Sequence, residues 1–263
     1  MRKSLLITLI LLITMAFSSF IFADSAEEVY FQEGIKYYDE GNYEKAIDSF
    51  TKAINITKDD PYAYNNRALS YSNLGKYEEA IDDYTKAISL EPAFASFYSN
   101  RGFAYYKIGN FEATIKDYTK ITLLHPTNPQ GYLNRAFTYL ALKEFDKAIK
   151  DYTKAIELDP NNAQTYFHRG NAYIQLTEYN KSISDFTKAI ELNPTFASAY
   201  YYRGIAYFNL GEFKTSIADY STVISLNPDY ADAYHARGLA NASIGDKYAS
   251  RRDFAIFNEL NGK

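Results

Sequence analysis

The chain has 263 residues, of which 47% are hydrophobic, so it can bury a sizeable core and is not expected to be disordered. Its 28 Lys and Arg residues are outnumbered by 32 Asp and Glu, and this mild acidity argues against a nucleic-acid partner, which needs a dominant basic face. Cysteine is absent, which excludes disulfides, a thiol nucleophile and zinc–thiolate sites.

The first 23 residues, MRKSLLITLILLITMAFSSFIFA, form a segment of their own. Arg2 and Lys3 precede a run, residues 5–22, that contains only apolar residues, Ser and Thr, and the first acidic residue is Asp24. This order is typical of a secretory signal peptide cleaved before Asp24, and it predicts export to a periplasm or to the cell exterior. As a helix, residues 5–22 would also span about 27 Å, close to the thickness of a bilayer core, so an uncleaved membrane anchor is the alternative.

From residue 27 onward the chain repeats itself every 34 residues. Proline recurs at positions 92, 126, 160, 194 and 228, and tyrosine recurs at 64, 98, 132, 166, 200 and 234. Because proline breaks a helix interior, the prolines mark boundaries. In each copy a Gly or Ala lies four residues after this Tyr, and in most copies a second Tyr follows three residues later, which places all three on one helix face.

A second helix follows in each copy, with a stripe such as Ala80, Tyr84 and Ala87. The turn between the two helices reads LGKY, IGNF or LGEF, and its glycine can adopt the positive φ that ends a helix. Each 34-residue unit is therefore predicted to be an antiparallel helical hairpin.

The small-residue, aromatic and proline positions resemble the tetratricopeptide repeat, whose pattern runs aromatic, small, Tyr, Ala, aromatic, Ala, Pro over 34 residues. The resemblance covers residues 27–263 as seven copies, which start at 27, 61, 95, 129, 163, 197 and 231. It implies an all-α fold, a right-handed superhelical α-solenoid of antiparallel hairpins, that binds proteins or peptides. The first and last copies carry polar departures, such as Glu33 and Lys247, which are expected where one face has no neighbouring copy.

Six copies carry an Arg and, sixteen residues later, an Asp at fixed positions. The pairs are Arg67 and Asp83, Arg101 and Asp117, Arg135 and Asp151, Arg169 and Asp185, Arg203 and Asp219, and Arg237 and Asp253. The first copy has Glu33 and Ser49 instead, and this joint loss suggests that the Arg and Asp of one copy form a structural ion pair across the hairpin. An Arg row that binds acidic ligands is the alternative, although the Asp row would cancel its field.

A candidate partner-binding groove lies one residue beyond the core positions of each first helix, on a face rotated by about 100°. In the family that the chain resembles, this face lines the concave surface. The candidate residues are Asn66, Asn100, Phe103, Leu133, Asn134, Phe137, Phe167, His168, Asn171, Tyr201, Tyr202 and Ile205. Amides could pair with a peptide backbone, and apolar side chains could hold those of an extended segment or short helix. The alternative is that these residues only pack one copy on the next.

Catalytic constellations are not visible in the sequence, and neither enzyme activity nor a cofactor or metal site is predicted. His125, His168 and His235 do not have metal-ligand spacing, and the glycines are tied to hairpin positions. The basic clamp with which co-chaperone members of the family hold a terminal carboxylate is also missing. The corresponding positions carry Tyr62, Asn65, Asn66, Ser96, Ser99 and Asn100.

The predicted function is therefore an exported, non-enzymatic scaffold or adaptor that binds a peptide or protein segment in its concave groove. Two alternatives remain open. One is a membrane-tethered assembly factor that uses residues 5–22 as its anchor, and the other is a glycan-binding accessory solenoid in which Tyr side chains stack on sugars.

Overall fold

The structure is a computed structural model and describes residues 25–262; the predicted signal segment, residues 1–23, lies outside the described residues. Between residues 25 and 262 there are fourteen α-helices and no strands. They are α1 (Ala26–Asp39), α2 (Tyr43–Ile56), α3 (Pro61–Asn73), α4 (Tyr77–Leu90), α5 (Ala95–Lys107), α6 (Phe111–Leu124), α7 (Pro129–Ala141), α8 (Phe145–Leu158), α9 (Ala163–Gln175), α10 (Tyr179–Leu192), α11 (Ala197–Asn209), α12 (Phe213–Leu226), α13 (Ala231–Ser243) and α14 (Lys247–Asn261). The predicted all-α fold class is confirmed.

The chain divides into two compact units between Asn110 and Phe111. The first unit contains α1 to α5 and the second contains α6 to α14, and within each unit every helix packs against the next one along the chain. The odd-numbered helices are called first helices below, because each opens a copy, and the even-numbered ones are called second helices. None of the helices in the described part of the chain is long and apolar enough to span a membrane.

Local sequence signals set the helix boundaries. The side chains of Asp60 and Asn128 accept hydrogen bonds of 2.9 Å from backbone N–H groups in the first turns of α3 and α7, and a proline occupies the first position of each helix. An Asp or Asn cap satisfies an N–H group that has no partner in the helix, and proline has no N–H to satisfy there.

The hairpin turns require a left-handed residue, whichever side chain the sequence provides. Gly75 and Gly211 have φ values of +75° and +78°, as the sequence predicts for a glycine that ends a helix. In copies four and five, Lys143 and Thr177 stand at the same position, and both still adopt a φ of 58°. These two turns are therefore strained, because side chains with a Cβ disfavour this region.

In the hairpins that lie within one unit, a large aromatic side chain of the second helix packs on a small residue of the first. Phe186 is fully buried against Gly170, and a Cβ atom on Gly170 would lie only 2.8 Å from the Phe186 ring. Tyr220 and Gly204 repeat this arrangement, with a corresponding distance of 2.7 Å. The small residue is thus required by the close approach of the two helices, since a larger side chain would overpack the site.

Candidate functional site

The candidate site is the surface formed by positions 5, 6 and 9 of the first helices, counted from the start of each copy, and it is called the groove face below. It contains all twelve residues of the predicted groove. Its most exposed members stand at position 9, where Phe103 is 48% and Phe137 41% exposed. Positions 5 and 6 are half-buried in the same helices, so the groove face is partly accessible within each unit.

In the first unit, the amides of the groove face bond to one another. The Asn100 side-chain nitrogen donates to the Asn65 side-chain oxygen at 3.0 Å, which links α5 to α3, and Asn65 donates to Asn66 at 3.5 Å. Phe103 is exposed beside them, with the Lys107 ammonium 5.3 Å from its ring centroid. The amides here therefore join neighbouring first helices and keep only part of their hydrogen-bonding capacity for a ligand.

In the second unit, the groove face carries a continuous row of aromatic rings, called the aromatic row below. Its members are Phe137, His168, Phe167, Tyr202, Tyr201 and Tyr230. Successive ring centroids lie 4.6, 5.5, 5.6, 5.5 and 5.3 Å apart, mostly in edge-to-face geometry. These are favourable separations for aromatic pairs, and they connect α7, α9 and α11 with the turn before α13. Tyr230 was missed by the sequence prediction, although an aromatic residue also ends two other copies, at Phe94 and Phe196.

Several groove-face residues also hold neighbouring hairpins together. His168 stacks on Tyr152 of the preceding copy at 6.0 Å, and Tyr202 contacts Phe186 of the preceding copy at 6.2 Å. Leu133 instead packs within its own hairpin, against the buried cluster that contains Tyr152. Packing of one copy on the next is therefore part of the role of His168 and Tyr202, as the alternative interpretation of the sequence expects.

The amides of the second unit are freer. Asn134 accepts one hydrogen bond of 2.7 Å from the exposed Gln130, and Asn171 is half-buried on α9. Both amides retain donors and acceptors that a peptide backbone could use.

A cavity of about 200 Å³ opens on the groove face between α11 and α13. Its lining residues are Tyr201, Ile205, Phe208, Tyr220, His235, Ala236 and Leu239. Tyr201 and Ile205 belong to the predicted groove, and the structure brings them together here. His235, Ala236 and Leu239 occupy positions 5, 6 and 9 of the last copy. Applying the groove-face positions to the last copy as well would therefore have predicted them.

The groove face of the second unit is nearly free of charge. Burial lowers the pKa of His168 below its ordinary value of 6.5, so its imidazole is neutral at pH 7. Burial, assisted by the charge of Asp232 and by the neighbouring Tyr230 and Tyr202, raises the pKa of Tyr201 to about 12. Apart from the arginine of each copy, Asp232 is the only charged side chain on α7, α9, α11 and α13.

The arginines themselves lie in a separate polar row, called the charge ladder below. Arg135 donates from Nε and Nη2 to the two carboxylate oxygens of Asp151, at 2.7 and 2.8 Å, with side-chain exposures of 15% and 7%. The same two-point geometry joins Arg67 to Asp83, Arg169 to Asp185, Arg203 to Asp219 and Arg237 to Asp253. Arg101 belongs to the first unit and Asp117 to the second.

Each ladder arginine also bonds to a hydroxyl of the preceding copy, which sequence reasoning missed. The third nitrogen of Arg135, Nη1, donates to Thr119 at 2.9 Å, and that of Arg101 donates to Thr85 at 3.0 Å. The full set of acceptors is Thr51, Thr85, Thr119, Thr153, Thr187 and Ser221. Their spacing of 34 residues is a signal that could have revealed them. The arginine therefore bridges two copies instead of presenting a free cation.

A second cavity, of about 440 Å³, lies beside the charge ladder at Arg135. Most of its charged walls are already paired, Arg135 with Asp151 and Lys154 with Glu157 at 2.9 Å. Five of its seven lining residues are Arg, Lys, Asp or Glu, whereas Ile205, Phe208 and Leu239 line the cavity between α11 and α13, and the groove face remains the stronger candidate site.

Family models of the tetratricopeptide repeat match most of the chain. A model described as "TPR repeat" matches residues 34–75, 73–109, 170–211 and 206–245, and two described as "Tetratricopeptide repeat" match residues 129–162 and 151–184. The chain belongs to the tetratricopeptide repeat family. A comparison with curated proteins gives no match.

Several solved protein structures resemble the chain over most of its length. The C-terminal part of a TPR repeat-containing protein from Cytophaga hutchinsonii is 23% identical with a TM-score of 0.78, and the match covers 89% of this chain and 96% of that one. MamA is 29% identical with a TM-score of 0.61 over 64% of this chain and 92% of that one. YrrB, described as having an unusual peptide-binding site, is 24% identical with a TM-score of 0.61 over 72% and 97%. The repeats and these neighbours give the chain the architecture of a protein-interaction scaffold.

Proposed function

We propose that this tetratricopeptide repeat protein is an exported, non-enzymatic adaptor that binds a peptide segment of a partner protein along its groove face. The observation that carries the proposal is the aromatic row of the second unit, which is continuous over three first helices and still partly exposed. Phe137 keeps 41% of its surface accessible and the other rings of the row are half-buried, so the row presents a contiguous apolar surface to a ligand.

The chemistry of the groove face fits a peptide better than a small charged metabolite. Ring faces and aliphatic side chains accept the side chains of a bound segment, and the amides of Asn134 and Asn171 offer a donor and an acceptor to its backbone. His168 is neutral, so it adds hydrogen-bonding capacity without a charge. Selectivity on such a surface comes from the shape and spacing of apolar side chains more than from ionic attraction.

The export part of the proposal depends on the N-terminal sequence. Arg2 and Lys3 followed by the apolar run of residues 5–22 favour delivery across a membrane. Mass spectrometry of the protein from its native cell should give a mature N-terminus at Asp24 or close to it. Recovery of residues 5–22 on a membrane-bound protein would instead favour the tethered assembly factor, and recovery of the intact chain among cytosolic proteins would refute export.

Site-specific photo-crosslinking tests the binding surface directly. A photoreactive amino acid is placed at Leu239 on the groove face of α13 or, as a control, at Leu226 at the end of the second helix α12. The two leucines are matched in exposure, at 41% and 40%. The proposal expects a discrete crosslinked partner from position 239 in the native cell and none from position 226. Equal crosslinking from both, or none from position 239 and from a second groove-face probe at Phe137, would refute the groove face as the working surface.

A further inference from the structure

The cavity between α11 and α13 differs from the rest of the groove face, because it combines an apolar pocket with a charge. Ile205, Phe208 and Leu239 supply apolar walls, and Tyr220, which is 2% exposed, lies among the lining residues. An apolar cavity of about 150 Å³ is large enough to bind benzene. The volume here, about 200 Å³, therefore suits one aromatic ring or one large aliphatic side chain and is too small for a drug-sized ligand.

Asp232 supplies the charge at this place. It lies in the first turn of α13, is exposed, and has no ion-pair partner in the part of the chain that the structure describes. On α13 it precedes His235 and Ala236, which line the cavity, by three and four residues, and it follows Tyr230, whose ring centroid is 5.3 Å from that of Tyr201, by two residues. Because residues three and four apart on a helix are neighbours on one face, Asp232 and the end of the aromatic row lie next to the cavity.

The surroundings leave this negative charge uncompensated. The arginines of α9, α11 and α13 are each held by two hydrogen bonds to an aspartate of the same copy, so they do not neutralise Asp232. Aromatic faces such as those of Tyr201 and Tyr230 also attract cations. Carboxylate and rings together favour a ligand that carries a positive charge beside its apolar group.

We infer that this end of the groove face binds a partner segment in which a large apolar or aromatic side chain is adjacent to Lys or Arg. The apolar side chain enters the cavity between α11 and α13, and the cation lies against Asp232 and the rings of Tyr201 and Tyr230. The inference rests on the proposed peptide-binding function and adds the chemistry of the peptide.

Four capped, fluorescently labelled octapeptides test the inference with the full-length protein. One contains Phe followed by Lys in a Gly/Ser background, two replace the Lys by Gln or Glu, and the fourth replaces the Phe by Ala. Titration by fluorescence anisotropy is expected to give the tightest binding for the Phe-Lys peptide. Loss of the ring should weaken binding about tenfold, and Lys should be preferred over Gln about two- to fivefold, as is usual for an exposed charge pair.

Two variants assign these preferences to the site. Asp232→Asn should abolish the preference for Lys over Gln and leave the Phe-Gln peptide bound as before. Asp146→Asn is the matched control, because Asp146 is also an exposed first-turn aspartate, on the second helix α8, and its loss changes the net charge equally. Ala236→Met, which narrows the cavity, should weaken the Phe-containing peptides toward the affinity of the Ala peptide. In about 1 M NaCl the preference for Lys should also disappear, because charges are then screened within about 3 Å.

The outcomes separate the inference from the proposed function. If Asp232→Asn remains folded by circular dichroism and keeps the full preference for Lys, or if the Glu peptide binds most tightly, the inference is overturned although peptide binding stands. If Ala236→Met leaves the affinity for the Phe peptides unchanged, the cavity is not their site and the inference is likewise overturned. If neither the four octapeptides nor the native partner found by crosslinking binds, the proposed function fails as well.

Discussion

The pair of Arg135 and Asp151 provides the sharpest test of how the hairpins are held together. Arg135→Met, Asp151→Leu and the double variant form a double-mutant cycle that keeps side-chain volume roughly constant. The structure gives the pair two hydrogen bonds of 2.7 and 2.8 Å and leaves only 15% and 7% of the two side chains exposed. Such geometry is that of a buried ion pair and not of a solvent-exposed one.

The burial of this ion pair sets the expected loss of stability when one partner is removed. Asp151→Leu leaves a guanidinium with little access to water and only the hydroxyls of Thr119 and Thr122 as hydrogen-bond partners, and we expect a loss of about 3–5 kcal/mol in the free energy of unfolding. Arg135→Met should cost a similar amount through the unpaired carboxylate. The double variant removes both charges and should recover most of the loss, because an apolar pair of similar volume can replace a buried ion pair at little cost. The coupling energy is therefore expected to exceed about 2 kcal/mol.

Urea denaturation followed by circular dichroism measures the cycle, and hydrogen exchange of the α7 and α8 amides gives the local stability if the repeats do not unfold in one step. Thr119→Val adds a third test, since loss of the inter-copy hydrogen bond to Arg135 should cost about 1 kcal/mol in an otherwise folded protein. A coupling energy below about 0.5 kcal/mol would place the pair in the class of exposed ion pairs and refute the reasoning from burial.

Three further substitutions test separate contributions to stability. For each, the midpoint of urea denaturation is compared with that of the unsubstituted protein. Thr177→Gly should raise the free energy of unfolding by about 1 kcal/mol, because it relieves a β-branched residue at a φ of 58°; a decrease would show that the turn is not strained. His168→Asn should flatten the pH profile below 6.5. Burial lowers the pKa of His168, so the unfolded chain takes up a proton first and stability is lost as the pH falls; an unchanged profile in His168→Asn would show that His168 is not the group responsible. Tyr152→Phe should be neutral or stabilising, because the buried Tyr152 hydroxyl has no hydrogen-bond partner in the described residues and Phe186 stands at the equivalent position; a loss above about 1 kcal/mol would reveal a bond to water.

The fold could be predicted from the sequence because each 34-residue copy carries the same local structural signals. Prolines at helix starts and boundaries, small residues opposite aromatic ones, and glycines in the turns all indicate the same hairpin, and the first helices of copies two to seven begin at the predicted starts 61, 95, 129, 163, 197 and 231. Agreement between independent local signals is what makes such a prediction dependable. Arg67 and Asp83 also form an ion pair, as the absence of both the Arg and the Asp from the first copy suggests.

Contacts between copies were harder to predict than the hairpins. The hydroxyl of Thr119 is recognised as a partner of Arg135 only when the rotation from one hairpin to the next is known, and a periodic Thr in a helix otherwise reads as a solvated position. The cavity beside Leu239 depends on the same rotation, because it forms between two first helices. The positive φ of Thr177 was hidden because the structure imposes the conformation of the turn on a residue that does not favour it.

The charge ladder and the groove face follow opposite rules, and the contrast supports a recognition role for the latter. Copies two to seven all carry Arg at position 7 and Asp at position 23. Position 5 of the same copies holds six different residues, namely Asn65, Ser99, Leu133, Phe167, Tyr201 and His235. Within a unit each copy meets its neighbour through the same pair of helices, so a purely packing role would be met by the same side chain every time, as it is in the ladder. A ligand has no 34-residue period of its own. A surface that contacts a ligand is expected to vary from copy to copy, and the groove face does so at position 5, which is only half-buried.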